Sequence, residues 1–457
     1  MSIAVLDFGK TNTKLLVFDT AGKIVFSTRT RPVWHAVGGM RVLDDQVLAQ
    51  WAHEGLAAVE GDRPGDMIGV MVSAHGCTFA LADAQALVRP ILDYEQELPG
   101  SFSERVDSEL PPYAETFAPL RPQGFNYGRH MLWLQHLEPQ SFERATAILG
   151  YPQYWSWRMG GRQVAERTYM GCHSHLWAPA LGTFSSLVDG QGWRHKMPEF
   201  ARAGAVIGEI AVRGRRIAVH NGVHDSNASL QAYRSLGLQR FTLISTGTWV
   251  IIFNPDCPLS ALDAATDMYC NVDVNGRAVP TIGFMGGREF DVIAGELREA
   301  IDRDAVQRAI DARHFAFPAF AAGGPYGGRT GRVEPSLSDA ADRAAVAILY
   351  VALMIDWCLD AIQSDNILVI DGGLTTGGVL GELVAQLRPA QTVLEGAISE
   401  GTAAGAATLA FAAHGLEMRL PEPVSVADRR YRGIDAYRRE WREQLPSLPS
   451  KDPEMAA

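Results

Sequence analysis

Two short segments of the same build, far apart in the chain, constrain its fold most. Residues 3–6 are apolar, residues 7–13 form a polar run with Gly, Thr and Asn, and residues 14–19 are largely apolar again before Ala21-Gly22. That pattern predicts strand, turn, strand. Residues 241–244, then Ser245-Thr246-Gly247-Thr248, then 249–253 repeat the plan. The repeat predicts two related halves, and 457 residues exceed what one hydrophobic core usually holds. The boundary is expected near residues 213–219, giving domains 1–215 and 216–420 and a tail, 421–457.

Around these hairpins the class is α/β. Helical spacing runs over 47–59, a short apolar strand over 67–72, and a hairpin over 79–92 that turns at Ala82-Asp83-Ala84-Gln85. Helices are expected at 227–236, closed by Gly237, at 340–362 and at 402–414; a buried strand at 367–370 leads through a Gly-rich turn into a helix ending at Leu387. Beyond Leu420, prolines and charges predict a surface appendage. The hydrophobic fraction of 47% and charged fraction of 20% exclude a disordered chain, and a net charge of −11 argues against nucleic acid. Five scattered cysteines suit a reducing, cytoplasmic setting. The start has no basic lead with an apolar stretch, and no run of eighteen apolar residues predicts a membrane span.

Chemistry concentrates in a few runs. Asp7-Phe8-Gly9-Lys10-Thr11-Asn12-Thr13-Lys14 combines a carboxylate at a strand end, a glycine, hydroxyl and amide donors, and a cation. Those groups can hold Mg²⁺ and nucleotide phosphates, whose charge must be neutralised and positioned; they are also ordinary turn formers. The turn Ser245-Thr246-Gly247-Thr248 supplies hydroxyls and N–H groups suited to an anion. In Asn221-Gly222-Val223-His224-Asp225-Ser226-Asn227, which opens a helix, the carboxylate either caps the helix or lies within reach of a reacting hydroxyl. Ser73-Ala74-His75-Gly76, Asp93 and Glu95 offer the donors and acceptors a sugar needs, and equally suit a loop histidine and a solvated turn. The glycines of Asp371-Gly372-Gly373-Leu374-Thr375-Thr376 let backbone approach a flat adenine closely. Residues 400–407 form a small-residue run suited to tight helix packing.

Together these runs resemble the FGGY carbohydrate kinases, in the family's order and spacing, over nearly all of residues 3–414. Residues 7–14 look like the first phosphate motif, Ser245 to Trp249 like the second, and Asp371 to Thr376 like the adenosine motif. The resemblance implies two ribonuclease-H-like domains of the actin and hexokinase superfamily with a cleft between them. Domain 1–215 would carry the sugar site and first phosphate motif, and domain 216–420 the second phosphate and adenosine motifs. By the same resemblance Gly9, Thr11, Asn12, Lys14, Thr246, Gly247, Thr248, Gly372, Gly373 and Thr376 would bind ATP. Asp7 would position Mg²⁺ and Asp225 would be the general base; His75, Gly76, Asp93, Glu95 and His224, with Asp225, would meet the sugar. The His224-Asp225 pair is similar to rhamnulokinases and L-fuculokinases, and the His-Gly turn to xylulokinases. Departures are Asp371 for a glycine, Thr376 for Asn or Ser, His130 for a lysine, Tyr127 for a small residue or proline, and a second signature near 331–349 that is barely recognisable.

The implied activity is transfer of the γ-phosphate of ATP to a primary hydroxyl of a small ketose. Its partners are the sugar and ATP, with no nucleic acid and no membrane; a homodimer is the one protein partner considered. Two other readings compete: a non-catalytic sugar- or nucleotide-sensing protein on the same fold, and a phosphohydrolase of the superfamily. Asp7 and Asp225 favour the enzyme.

Overall fold

The computed structural model describes residues 1–295, 301–427 and 429–448. The chain forms two compact units: Met1–Leu238 with Cys270–Ala278 and Ser399–Pro421, and Gln239–Tyr269 with Val279–Ile398 and the chain from Glu422 onward.

The first unit is built on a seven-stranded sheet. A meander of β1 (Ser2–Phe8), β2 (Thr13–Asp19) and β3 (Ile24–Thr30) is antiparallel, and β6 (Met67–Ala74) joins β1 in parallel. Beyond β6 lie β8 (Arg215–His220), paired antiparallel with β7 (Val206–Val212), and the short β9 (Val223–His224). Central β1 is buried almost throughout, as a strand covered on both faces should be. A separate hairpin, β4 (Trp34–Val37) and β5 (Met40–Leu43), leads into α1 (Asp45–Asp62). Asp44 caps α1 by accepting from Val47 N at 3.2 Å, and Leu48, Ala52, Leu56 and Val59 form its buried stripe.

Two helices lie together in this unit: α3 (Asp225–Ser235) and α6 (Gly401–Ala413). Small residues permit the approach. A side chain at Gly405 would collide with the Ala228 carbonyl, and Ser229 Oγ meets Thr402 Oγ1 at 2.8 Å.

In the second unit β12 (Ala278–Phe284), β11 (Val250–Phe253), β10 (Phe241–Thr246), β13 (Ile367–Gly372) and β14 (Val393–Glu395) lie side by side in that order. β10 and β11 are antiparallel, while β13 and β14 follow in parallel. In both sheets the first strand lies between its antiparallel hairpin partner and a parallel strand from later in the chain, so the repeat seen in the sequence is a repeat of local topology. The helix α4 (Ala340–Ala361) is long and apolar enough to cross a membrane, but 83% of its most apolar window is buried inside the protein. The helix α5 (Val379–Leu387) follows β13, as expected.

Three expectations need correction. The boundary at 215/216 falls inside the first sheet, because the strand from Arg215 pairs with β6 and β7; Asp225 therefore belongs to the first unit. The strand Phe79–Ala82 does turn at Asp83, whose N–H reaches the Ala86 carbonyl at 2.9 Å, but its partner along its length is Ala147–Gly150. The segment after Leu420 is no loose appendage. β15 (Val424–Ser425) extends the second sheet, and α7 (Ile434–Glu443) buries Ile434, Tyr437 and Trp441. The Trp441 indole donates to the Ala316 carbonyl at 2.7 Å. Three arginines, Arg388, Arg438 and Arg442, surround the buried Asp356 carboxylate and tie α7 to α4. Residues 449–457 of the tail lie outside the described residues.

Replacing a fully buried aromatic leaves a cavity, so Trp441→Ala should cost about 3–5 kcal/mol of unfolding free energy. Urea denaturation of the full chain measures it, and an unchanged midpoint would contradict the packing of α7.

Candidate active site

Parallel strands end at the same level, so residues just past their C-terminal ends are neighbours. In the first sheet β1, β6 and β9 are such strands: Asp7 is in register with Ser73, Ser73 with Val223, and Ala74 with His224. The chain leaving β6 carries His75 and Gly76, with His75 N donating to the Phe8 carbonyl at 3.1 Å. The chain leaving β9 enters α3 at Asp225. Asp7, His75 and Asp225 thus meet through backbone pairing.

Their electrostatics follow. Burial pushes the Asp7 carboxyl up to about 7, the Asp225 charge pushes the same way, and Lys14, its register partner on β2, opposes both. Glu400 adds to the rise while its Oε2 holds Lys14 Nζ at 2.6 Å. Burial likewise lowers His75 to about 4, keeping it neutral; its Nδ1 meets the Gly76 carbonyl at 2.7 Å and its ring lies 4.8 Å from that of Tyr151. On the same helix α2 (Tyr151–Arg158), Trp155 stacks flat on Phe8 at 4.1 Å, bracing the end of β1.

Asp225 is not the helix cap; His224 occupies that position. The Asp225 Oδ1 accepts from Ser226 N at 2.5 Å and Ser226 Oγ at 3.1 Å, and His224 Nε2 lies 3.2 Å away. Asn227 Nδ2 donates to His224 Nδ1 at 3.0 Å, which puts the imidazole proton on Nε2, where Cys172 Sγ is the hydrogen-bond partner at 3.2 Å. Burial keeps His224 below its ordinary range and hence neutral. His224 N donates to Thr168 Oγ1 at 3.1 Å, and that hydroxyl donates to Glu166 Oε2 at 2.5 Å. The two Ser226 bonds fix Oδ1 and leave Oδ2 outside the network. A Cβ at Gly76 would stand only 3.0 Å from His224 Nε2, so the two predicted sugar segments abut.

The second unit repeats the geometry with different equipment. Parallel β10 and β13 place Thr246 in register with Gly372. Thr246 Oγ1 donates to the Asp371 carbonyl at 2.8 Å and accepts from Leu374 N at 3.2 Å, tying the second phosphate turn to the adenosine motif. Gly372 sits at φ +105°, against the Thr246 carbonyl, where a side chain would collide. Gly247, Thr248, Gly373 and Thr376 are exposed around it, as Thr11 and Asn12 are on the first turn; Gly9 is half-buried.

Residues 238–418 match the C-terminal domain of the FGGY carbohydrate kinases. A solved carbohydrate kinase from Novosphingobium aromaticivorans is 30% identical, with 97% of this chain and 98% of that one covered and a TM-score of 0.87. The chain belongs to the FGGY carbohydrate kinases. The L-fuculokinase of Salmonella typhi is 23% identical over 274 residues, so the match spans 55% of this chain and 56% of that protein, little more than half. The xylulose kinase of Rhodospirillum rubrum, 18% identical with 97% and 98% covered and a TM-score of 0.77, shares the fold.

Within this FGGY chain the predicted residues fall into two sets. Asp7, Lys14, His75, Gly76, His224 and Asp225 gather at one sheet edge of the first unit, and Thr246, Gly247, Thr248, Gly372, Gly373 and Thr376 at one edge of the second. Asp93 is placed differently from expectation. It is fully buried, and its carboxylate pairs with Lys10 and, at 3.2 Å, with Arg41 Nη1. Glu95 is 41% exposed and lies 3.2 Å from Lys10 Nζ. Sequence reasoning missed Lys10, Arg41, Asn227 and Thr168 as members of the site. Lys10 stands inside a motif already singled out, whereas nothing local marks Arg41 or Thr168.

The raised Asp7 value gives a pH dependence. A carboxyl whose folded value exceeds its unfolded one contributes stability that is full below the ordinary carboxylate range and is lost as pH rises through about 7. Asp7→Asn removes that loss. The ligand-free variant should melt above the natural protein at pH 8, and the gap should shrink steadily towards pH 5; a gap that widens on acidification would contradict the burial of Asp7.

Proposed function

We propose that this FGGY kinase transfers the γ-phosphate of ATP to a primary hydroxyl of a small ketose, of the L-rhamnulose, L-fuculose or xylulose kind, in the cytoplasm. The observation that carries the reading is the meeting of Asp7, neutral His75 and Asp225 at the ends of three parallel strands. Asp225 accepts the hydroxyl proton on Oδ2 while the sugar oxygen bonds to phosphorus and the bond from that phosphorus to the ADP oxygen breaks. Ser226 holds Oδ1 through both its N–H and its hydroxyl, which limits rotation of the base away from the attacking oxygen. The exposed turns around Asn12 and Thr248 supply N–H and hydroxyl donors for phosphates, and the strand end at Gly372 offers bare backbone to the nucleoside.

The carboxylates around Asp7 outnumber the cations there, with Asp225 and Glu400 against Lys14 alone. That imbalance suits Mg²⁺ carried by the nucleotide, with Asp7 as the residue that would hold it. The ion supplies neutralisation of the phosphate charge. A sensor without catalysis would have no use for a carboxylate oriented on one oxygen and left open on the other.

Removing a positioned base typically costs about 10²–10⁴-fold in rate. Asp225→Asn should lose turnover in that range in a sugar-dependent ADP-release assay across L-rhamnulose, L-fuculose and D-xylulose, while ATP affinity stays within about twofold. Turnover near the natural rate would remove Asp225 from the role of base.

A further inference from the structure

The first phosphate turn carries two lysines, and their side chains part company. Lys14 is in register with Asp7, acts on its charge and ends on Glu400. Lys10, between Gly9 and Thr11, lies inside the run that resembles the first phosphate motif. Its ammonium instead pairs with buried Asp93, lies 3.2 Å from Glu95 Oε2, and sits 4.5 Å from the ring centroids of both Trp34 and Tyr94. Tyr94 in turn lies 5.4 Å from His75, ring to ring. The hairpin of β4 and β5 closes the other side. Arg41 Nη1 stands 3.2 Å from Asp93 Oδ2 and 3.8 Å from Glu95 Oε2, with its guanidinium 5.3 Å over Trp34.

We infer that Lys10 is a substrate-contacting residue of the sugar site, and that Asp93 is its anchor rather than a sugar ligand. The inference rests on the kinase reading above and divides its labour. Asp93 is wholly enclosed: Oδ1 takes Lys10 and Glu95 N, the latter at 3.0 Å, and Oδ2 lies 3.2 Å from Arg41 Nη1 in an ion pair without a hydrogen bond. Lys10 keeps 18% of its side chain exposed and Glu95 keeps 41%; these are the groups a ligand reaches. Swinging Lys10 towards a phosphate would leave a buried carboxylate with Arg41 alone and forfeit two aromatic faces, which opposes the move. The Lys10 charge is also felt at His75 and Cys77, whereas that of Lys14 is felt at Asp7. One turn therefore serves both ligands: backbone and Lys14 for the nucleotide, Lys10 for the acceptor oxygens of the sugar. The pairs of Lys10 and Arg41 with Asp93 and Glu95 balance in charge, which suits an uncharged polyhydroxylated substrate.

Binding without turnover tests this. Dissociation constants for D-xylulose, L-fuculose and L-rhamnulose, and separately for ADP, are measured by calorimetry on the natural chain, Lys10→Met and Lys14→Met. A hydrogen bond from a charged donor corresponds to about tenfold or more in affinity. Lys10→Met should weaken the best-bound sugar by at least that factor and leave ADP within about twofold, with Lys14→Met doing the reverse. Lys10→Arg, which keeps the pairing with Asp93 but displaces the donor, should weaken sugar alone and covers the case in which the methionine variant misfolds. A lysine-10 variant that weakens ADP and spares sugar would overturn the inference. A natural chain that binds sugar and ADP but makes no product from ATP would instead count against Asp225 as base, leaving the Lys10 result to stand.

Discussion

Acid held against acid is the constraint on which this structure turns. Asp7 and Asp225 are neighbours because β1, β6 and β9 are hydrogen-bonded in parallel, and strand pairing does not consult the charges at its ends. The repulsion and the loss of water appear together in the raised Asp7 value. What outweighs them is the buried centre of the sheet, the close seating of α6 on α3, and the start of α3, whose N–H groups favour a negative charge at Asp225. Perturbed acids in such settings cluster where proteins do chemistry.

The two units show how one topology is equipped twice. Each places its first strand beside a parallel strand from later in the chain, and each uses the residues just beyond them. The first unit puts carboxylates, histidines and lysines there; the second puts hydroxyls and glycines, with Thr246 spent on holding its neighbour in place. Loops differ while the frame is kept, which is how a duplicated sheet comes to handle different parts of a reaction.

Much of this was readable in the residues because turn chemistry is local. Both hairpins, the strand before Asp371, the helix behind Asp225 and the small-residue helix at 401–413 follow from spacing and from Gly, Asn and Thr at turns. Side-chain direction was not readable. Lys10 and Lys14 look equivalent in a string of letters, and only the turn between β1 and β2 sends them to different carboxylates. Asp93 reads as a sugar ligand or a solvated turn because nothing nearby in sequence announces Arg41, which arrives on a separate hairpin. The division at residue 215 misplaced Asp225 because β8 and β9 return to β6 across a long stretch of chain, and such pairing leaves no periodicity to detect. In α7 the apolar stripe of Ile434, Tyr437 and Trp441 is masked by the charges between its members.

The interleaving of the units has a consequence for biosynthesis. The helix that braces the first sheet comes from residues 401–413, and the helix that completes the second comes later still. During translation neither unit has all of its segments until nearly the whole polypeptide has been made. Contacts between such distant parts of a sequence are slow to form, and the exposed sheet edges of the waiting intermediate are where chaperones would be expected to bind.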